Sequence, residues 1–453
     1  MILFSHPTGN ANVRYAALGL HRAGLLGEFW TCVNYREPPL LGRVLPGGIH
    51  RQLKRREFPP ELAEAMRSFP LRELGRLFAP RAGLGSLVRH EHGPLSVDAV
   101  YRSLDRKVSE RVPDHKFTGV YAYEDGALET FRAAARCNKL KVYDLPIGYW
   151  RAARAILKEE AEREPEWAVT LNGNRDSTEK TDRKDAELRE ADVILVASSF
   201  TRSTLEFAPQ TTAPVICLPY GAPQLDPAAL AASGKTRTSQ GKLRALFVGS
   251  LGQRKGLSYL FRSARELDSA IELTVIGARP MSPCPALERE LKRVRWIPTC
   301  SHGEVLAEMA AHDVFVFPSL FEGFGLVLLE ALAMGLPIIT TPNTAGPDLI
   351  TEGVEGFIVP VRSSDAIATK LAWLRDHVDA RREMSRRARE RARQFTWENY
   401  GAAVADAVLI AEKDHLWAGG SHPANATKRD EGTPTTGNPM KAGFSARAEP
   451  PVA

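Results

Sequence analysis

Short apolar runs and longer amphipathic stretches alternate along this chain, with Gly, Pro, Asn and Asp at the joins. The runs 2–4, 118–121, 140–143, 193–197 and 215–219 lie in the first half. In the second half lie 243–248, 273–277, 314–317 and 338–340. They lack polar alternation, so they read as parallel strands buried on both faces. Between strands the spacing turns helical, as at 13–25, 326–334 and 395–413. Gly335 and Pro337 stop the helix at 326–334. This alternation in both halves predicts an α/β chain of two Rossmann-like domains facing a central cleft. Two stretches break the rhythm. Residues 176–189 are densely charged and predict an exposed helix whose ion pairs contribute little. Residues 35–112 carry the basic cluster Arg51, Lys54, Arg55 and Arg56, with apolar residues at mixed helical spacing.

A chain of 453 residues, 43% hydrophobic, is long enough for two cores. Its formal charge of +6 is modest, its basic residues are interleaved with acids, and no recognition motif appears, so a nucleic-acid partner is not expected. No apolar run approaches the roughly 20 residues that span a bilayer. The start, MILFSHPTGN, has neither a basic n-region nor a cleavage site and reads as a first buried strand. The five cysteines are scattered, with no CxxC, which suggests neither a disulfide framework nor a zinc site. A cytoplasmic protein is expected. The basic cluster leaves two readings open: solvated charge on surface helices, or a patch peripheral to the inner membrane face.

The chemistry gathers in the segment 313–343. A strand at 314–317 leads through a loop holding Glu322, Gly323, Phe324 and Gly325 into a helix that begins at Leu326 and contains Glu330. Free amides at such a helix start bind phosphate or another anion. A carboxylate on either side suits a ligand with hydroxyl-rich groups flanking its phosphates, as in a nucleotide sugar. Taken singly, Glu322 reads equally as a solvated loop acid and Glu330 as a helix-surface charge. Yet Glu330 is flanked by Leu328, Leu329, Ala331 and Leu332, where a charge needs a partner.

EGFGLVLLE, with seven residues between Glu322 and Glu330, resembles the E-x7-E motif of retaining glycosyltransferases of the GT-B fold. The run through ALAMGLPII is similar to glycosyltransferase family 4. The resemblance implies an N-terminal acceptor-side domain at 1–215, a linker and mobile loop at 216–242, and a nucleotide-sugar-binding domain at 243–394. It also implies a helix at 395–415 returning to the first domain, while the Gly, Pro, Thr, Asn and Ala composition after Trp417 predicts a disordered tail at 416–453. It implies transfer of a sugar from a nucleotide-diphosphate donor to a glycan, lipid-linked or small-molecule hydroxyl, with retention, by a front-face route that requires no metal or other cofactor. Glu322 would hold the donor sugar and Glu330 the ribose. Gly323, Phe324, Gly325 and Leu326 would cradle the diphosphate.

Around that core stand further candidates. The loop 249–256 brackets Arg254 and Lys255 between glycines, and cations there suit a diphosphate whose charge grows as the sugar departs. The family has an Arg where Ser250 stands, which leaves open whether Arg254, the neighbouring cation, takes that place. Gly9 and Asn10, after the first strand, would approach the donor, although the family pairs two glycines there. Gly277 would lie where the nucleotide base packs. Glu124, Asp125 and Asp144 follow probable strand ends and are acceptor-site candidates, with helix capping as the competing role and the likelier one for Asp125. No His occurs between His115 and His302, where relatives place one near the transferred sugar. Rival readings are a non-catalytic nucleotide-sugar-binding protein and another GT-B reaction such as a phosphorylase or epimerase.

Overall fold

In the computed structural model, residues 1–35, 52–171, 176–223 and 242–419 are described. The expected mobile loop after the linker, the expected disordered tail and Arg51 lie outside them, apart from the end of the last helix. Two parallel sheets organise the chain. The first has strands β1 (Ile2–Ser5), β2 (Leu26–Thr31), β3 (Met66–Ser68), β4 (Gly119–Tyr123), β5 (Leu140–Leu145), β6 (Val193–Val196) and β7 (Val215–Cys217), in the order β3-β2-β1-β4-β5-β6-β7. The second has β8 (Leu243–Val248), β9 (Ile271–Ile276), β10 (Arg295–Ile297), β11 (Val314–Phe317), β12 (Ile338–Thr340) and β13 (Gly356–Ile358), in the order β10-β9-β8-β11-β12-β13. The central strands β1, β4, β8 and β11 are almost wholly buried, which is why they read as unbroken apolar runs. Each sheet reverses its order beside its first strand, and ligands of such sheets bind in the crevice at that point.

The segment 35–112 holds more than surface helices. Met66, one of the apolar residues at mixed helical spacing, sits in β3, which pairs with β2. β2 buries Glu28, whose carboxylate takes Lys116 at 2.8 Å and Arg111 at 3.1 Å. The charged helix Thr178–Glu190 is also not the exposed one expected. Lys184, Asp185 and Glu187 on it are buried. Glu187 accepts the backbone N–H of Asp125 at 2.8 Å and of Ala127 at 3.1 Å, so it caps the helix Leu128–Arg136. That cap is not Asp125, which stands at φ 70°.

The two halves meet along the linker and the last helix. Trp397–Gly419 packs on Ala11–Arg22, where Gly19 and Gly401 cross closely. A Cβ on Gly19 would fall 1.9 Å from the Gly401 carbonyl oxygen. Tyr220 in the linker stacks on Trp397 and leans against Phe324 of the second half, with ring centroids 6.0 and 4.9 Å apart.

Candidate functional site

Between the two sheets lies a cavity of about 490 Å³. Its second-half wall is the segment that organises the sequence. β11 ends at Phe317, and the loop turns through Gly325 at φ 82°, a left-handed conformation natural to glycine. The helix Leu326–Met334 then starts with no side chain among the described residues capping its amides. Its positive end opens on the cavity at Gly325, Leu326 and Val327. Glu322 and Glu330 both line the same space, on either side of that helix start.

The loop after β8 brings Arg254 and Lys255 into this wall. Lys255 Nζ contacts Glu322 Oε2, and Arg254 Nη1 donates to the same oxygen at 3.2 Å and to the Phe321 carbonyl at 2.7 Å. The Lys255 ammonium also sits 4.6 Å from the centre of the Phe317 ring. Burial pushes this amine down to about 6, and the Arg254 guanidinium acts in the same direction. The Glu322 carboxylate in contact acts the other way. Glu330 is held differently. Burial raises its carboxyl, and the His302 imidazole, 3.8 Å away, opposes that rise.

The first-half wall comes from three distant segments. Asn10 and His6 stand after β1, Tyr123 ends β4, and Tyr220 comes from the linker. Burial pushes His6 down to about 4, so its imidazole is neutral at pH 7, and it meets the Tyr123 ring edge-on at 4.7 Å. Sequence reasoning looked for a histidine after the middle strands. The structure supplies His6 from the first loop and His302 from the second half. Neither histidine nor the two tyrosines carried a spacing signal.

Other candidates lie elsewhere. Gly9 is packed on Phe58, whose ring would stand 2.6 Å from a Cβ. Gly277 lies against the Gly249 carbonyl, where a Cβ would come within 1.8 Å, and its own carbonyl accepts from Trp296 at 3.0 Å. Gly323 faces the Pro146 carbonyl of the other half, 2.2 Å from a Cβ, and its carbonyl accepts from Thr201 at 2.8 Å. These three glycines serve close packing rather than line the cavity.

The acceptor candidates do not line this cavity either. Asp144 is 3% exposed beneath the cavity and accepts from Tyr121 at 2.6 Å. Burial pushes its carboxyl up to about 7, against the pull of the Tyr121 and Tyr123 hydroxyls. Glu124 is buried beside Lys184 at 3.4 Å. Asp125 lines a separate, charged cavity of about 580 Å³ in the first half. Near it, His90, Glu91 and Asp176 bring ligand atoms within 4.8 Å of one another, the one such group among the described residues. Two of those oxygens already accept from the Ser177 amide and Lys180. No helix among the described residues is long and apolar enough to cross a membrane.

Comparison with known proteins agrees with this geometry. Residues 231–391 match the model of the family Glycosyl transferases group 1. D-inositol 3-phosphate glycosyltransferase of Corynebacterium glutamicum (strain R) is 33% identical over 191 residues, which are 37% of this chain and 46% of that protein. The chain thus spans just under half the length of the curated relatives it matches. Sucrose-phosphate synthase from Thermosynechococcus elongatus superposes with TM-score 0.60 at 16% identity, over 92% of this chain and 99% of that one. Anabaena Alr3699/HepE in complex with UDP does so with TM-score 0.60 at 14% identity, over 90% and 99%. At those identities the structures speak for the fold alone, which is GT-B. The second half of this chain therefore carries a glycosyl transferases group 1 domain, set within a two-domain GT-B fold.

Proposed function

We propose that this protein is a retaining glycosyltransferase that moves a sugar from a nucleotide-diphosphate donor to an acceptor hydroxyl. One observation carries the reading: two carboxylates flank an uncapped helix start in the interdomain cavity, with two cations poised on one of them. The diphosphate would rest on the Leu326 and Val327 amides and draw Lys255 and Arg254 from Glu322. That exchange frees the Glu322 carboxylate to accept hydrogen bonds from the sugar hydroxyls, while Glu330 receives the ribose. In transfer, the bond from the anomeric carbon to the phosphate oxygen breaks and its electrons leave with the nucleoside diphosphate. The acceptor oxygen bonds the same face of that carbon, and its proton passes to the departing phosphate. The cations and helix end stabilise the charge that grows there, so no protein base is needed.

The UDP complex of HepE and the similarity to a D-inositol 3-phosphate glycosyltransferase support a nucleotide-sugar donor. A thermal-shift panel of UDP-, GDP-, ADP- and dTDP-sugars tests it. A true donor at 100 times its Kd stabilises by about 2.7 kcal/mol. If no member of the panel raises Tm, the reading fails. Donor hydrolysis without acceptor separates an enzyme from a binding protein of the same fold.

The acceptor reading extends to a membrane surface. Leu71, Phe78 and Leu84 are 77, 41 and 51% exposed. Arg72, Arg81 and Arg89 share their segment, whose single acid, Glu73, is buried against Arg56 and Arg76. Apolar side chains among unopposed cations suit an anionic leaflet and a lipid-linked acceptor. Flotation with anionic but not zwitterionic vesicles is expected. Absence of binding at low salt rules the contact out.

A further inference from the structure

The cavity cations are held from the far domain as well as from their own. Arg254 and Lys255 belong to a single turn, Gln253–Lys255, between Gly252 and Gly256. On one side this turn leans on its own domain. The Leu320 amide donates to the Arg254 carbonyl at 2.9 Å, and Gly256, at φ 69°, lies where a Cβ would meet the Pro318 carbonyl at 2.0 Å. On the other side it is gripped by the first half. Gln253 is wholly buried, and its backbone N–H donates to Thr170 Oγ1 at 2.9 Å. Its side-chain amide donates to Glu160 Oε1 at 2.7 Å.

Glu160 is the unusual member. It lies on the helix Trp150–Arg163 of the first half and is 0% exposed. Among the described residues, the three hydrogen-bond donors to its carboxylate all come from the second half: Gln253, Tyr259 at 2.9 Å and Arg362 Nε at 2.8 Å. A buried carboxylate requires such partners, and opening the domains would strip it of all three at once. Arg362 adds a second sign of constraint. It holds φ 65°, in the left-handed region that an Arg seldom adopts, and it reaches Glu159 as well at 3.0 Å.

We propose that Glu160 is a positioning residue: a latch whose grip on Gln253 and Arg362 makes the placement of Arg254 and Lys255 depend on docking of the two domains. The cavity then presents its cations to a diphosphate only when the first half is seated. A donor that draws on both cations favours the docked state in turn, since ligand affinity and domain closure are linked. The inference rests on the donor reading for what the cations receive, but the latch itself is a statement about the unliganded protein.

Amide hydrogen exchange on the full chain tests it, with Glu160→Gln and the milder Thr170→Val as variants. Faster exchange is expected across 249–256 in both variants, with β8 and β11 unchanged. Arg289→Ala, which removes an exposed interdomain pair with Glu166, is expected to leave that segment at its wild-type rate. A generally weakened fold would instead loosen the strands too. Wild-type protection at 249–256 in both Glu160→Gln and Thr170→Val overturns the latch. Inorganic pyrophosphate, which lacks a base to be recognised, serves as the binding probe, and its affinity is expected to fall about tenfold in Glu160→Gln. If wild type fails to bind pyrophosphate, the donor reading falls in that separate measurement, and the exchange comparison still decides the latch.

Discussion

Replacing Glu322 with Gln separates what the acid does for the ligand from what it does for the empty cavity. In the unliganded protein its carboxylate is shared by Lys255, 9% exposed, and Arg254, 30% exposed. Breaking a buried pair from one side costs about 3–5 kcal/mol. Arg254 is wet enough to rehydrate, so the loss here is set at about 2 kcal/mol. For domains of this size that is a fall of roughly 4–8 °C in Tm. The deficit carries a pH signature. With the carboxylate in place, burial and Arg254 already push Lys255 down to about 6, and without it that push goes unopposed. Between that value and its ordinary 10.5 the folded state then binds fewer protons than the unfolded one. Stability therefore rises with pH, and the deficit of the variant narrows from pH 6 upward.

Ligand reverses the effect. A diphosphate supplies the missing negative charge, so it stabilises the variant more than the wild type. About 2 kcal/mol corresponds to a roughly 30-fold gain in nucleoside diphosphate affinity. Sugar transfer, which needs the carboxylate on the sugar hydroxyls, is expected to vanish. Differential scanning fluorimetry across pH, with and without the nucleotide, and a transfer assay read all three effects. Transfer within tenfold of wild type, or an unliganded Tm unchanged at every pH, would refute the exchange of cations between acid and ligand.

Glu330→Ala is expected to weaken donor binding by about 1.5–3 kcal/mol, the worth of one or two charged hydrogen bonds; equal titration curves by calorimetry contradict the ribose role. Asp144→Asn removes a carboxyl raised from 3.8 to about 7. In that window the folded wild type binds the extra proton, so its stability falls as pH rises from about 4 to 7, by at most about 4 kcal/mol, while the variant lacks that slope; parallel curves of Tm against pH sink this. Gly19→Ala forces a methyl onto the Gly401 carbonyl and is expected to cost about 1–3 kcal/mol and to expose the last helix to protease; wild-type resistance to cleavage across 397–419 argues against a tight crossing.

The second half of the chain was legible because its signals are local. β11, the helix Leu326–Met334 and β12 fall on the residues their patterns predict. The strands are central, and the glycines at 325 and 335 hold φ 82° and 77°, which their neighbours in sequence announce. The first half hides its logic in distant pairs. β2 does not read as a strand because Glu28 interrupts it, and that acid is made bearable by Arg111 and Lys116, far along the chain. The helix Thr178–Glu190 reads as exposed for the same reason. Its charges are satisfied by the loop after β4 and by Asp105, which pattern reading cannot see.

The site divides along the same line. Two acids at helical separation with glycines between them can be found by spacing, and so can paired cations beside a turn. What spacing does not reveal is that Lys255 and Arg254 close on Glu322 itself, or that Glu160 steadies the turn from the other domain. Those contacts matter because a buried charge left without a partner is costly. The unliganded cavity has to satisfy its own cations, and it does so with the acid assigned to the sugar. On the proposed reading the cations are offered to a diphosphate only in exchange for releasing that acid, so binding of the phosphates and grip on the sugar become one event. A sugar without its diphosphate meets a carboxylate already occupied, which is a physical reason for such a site to act on activated sugars and leave free ones alone.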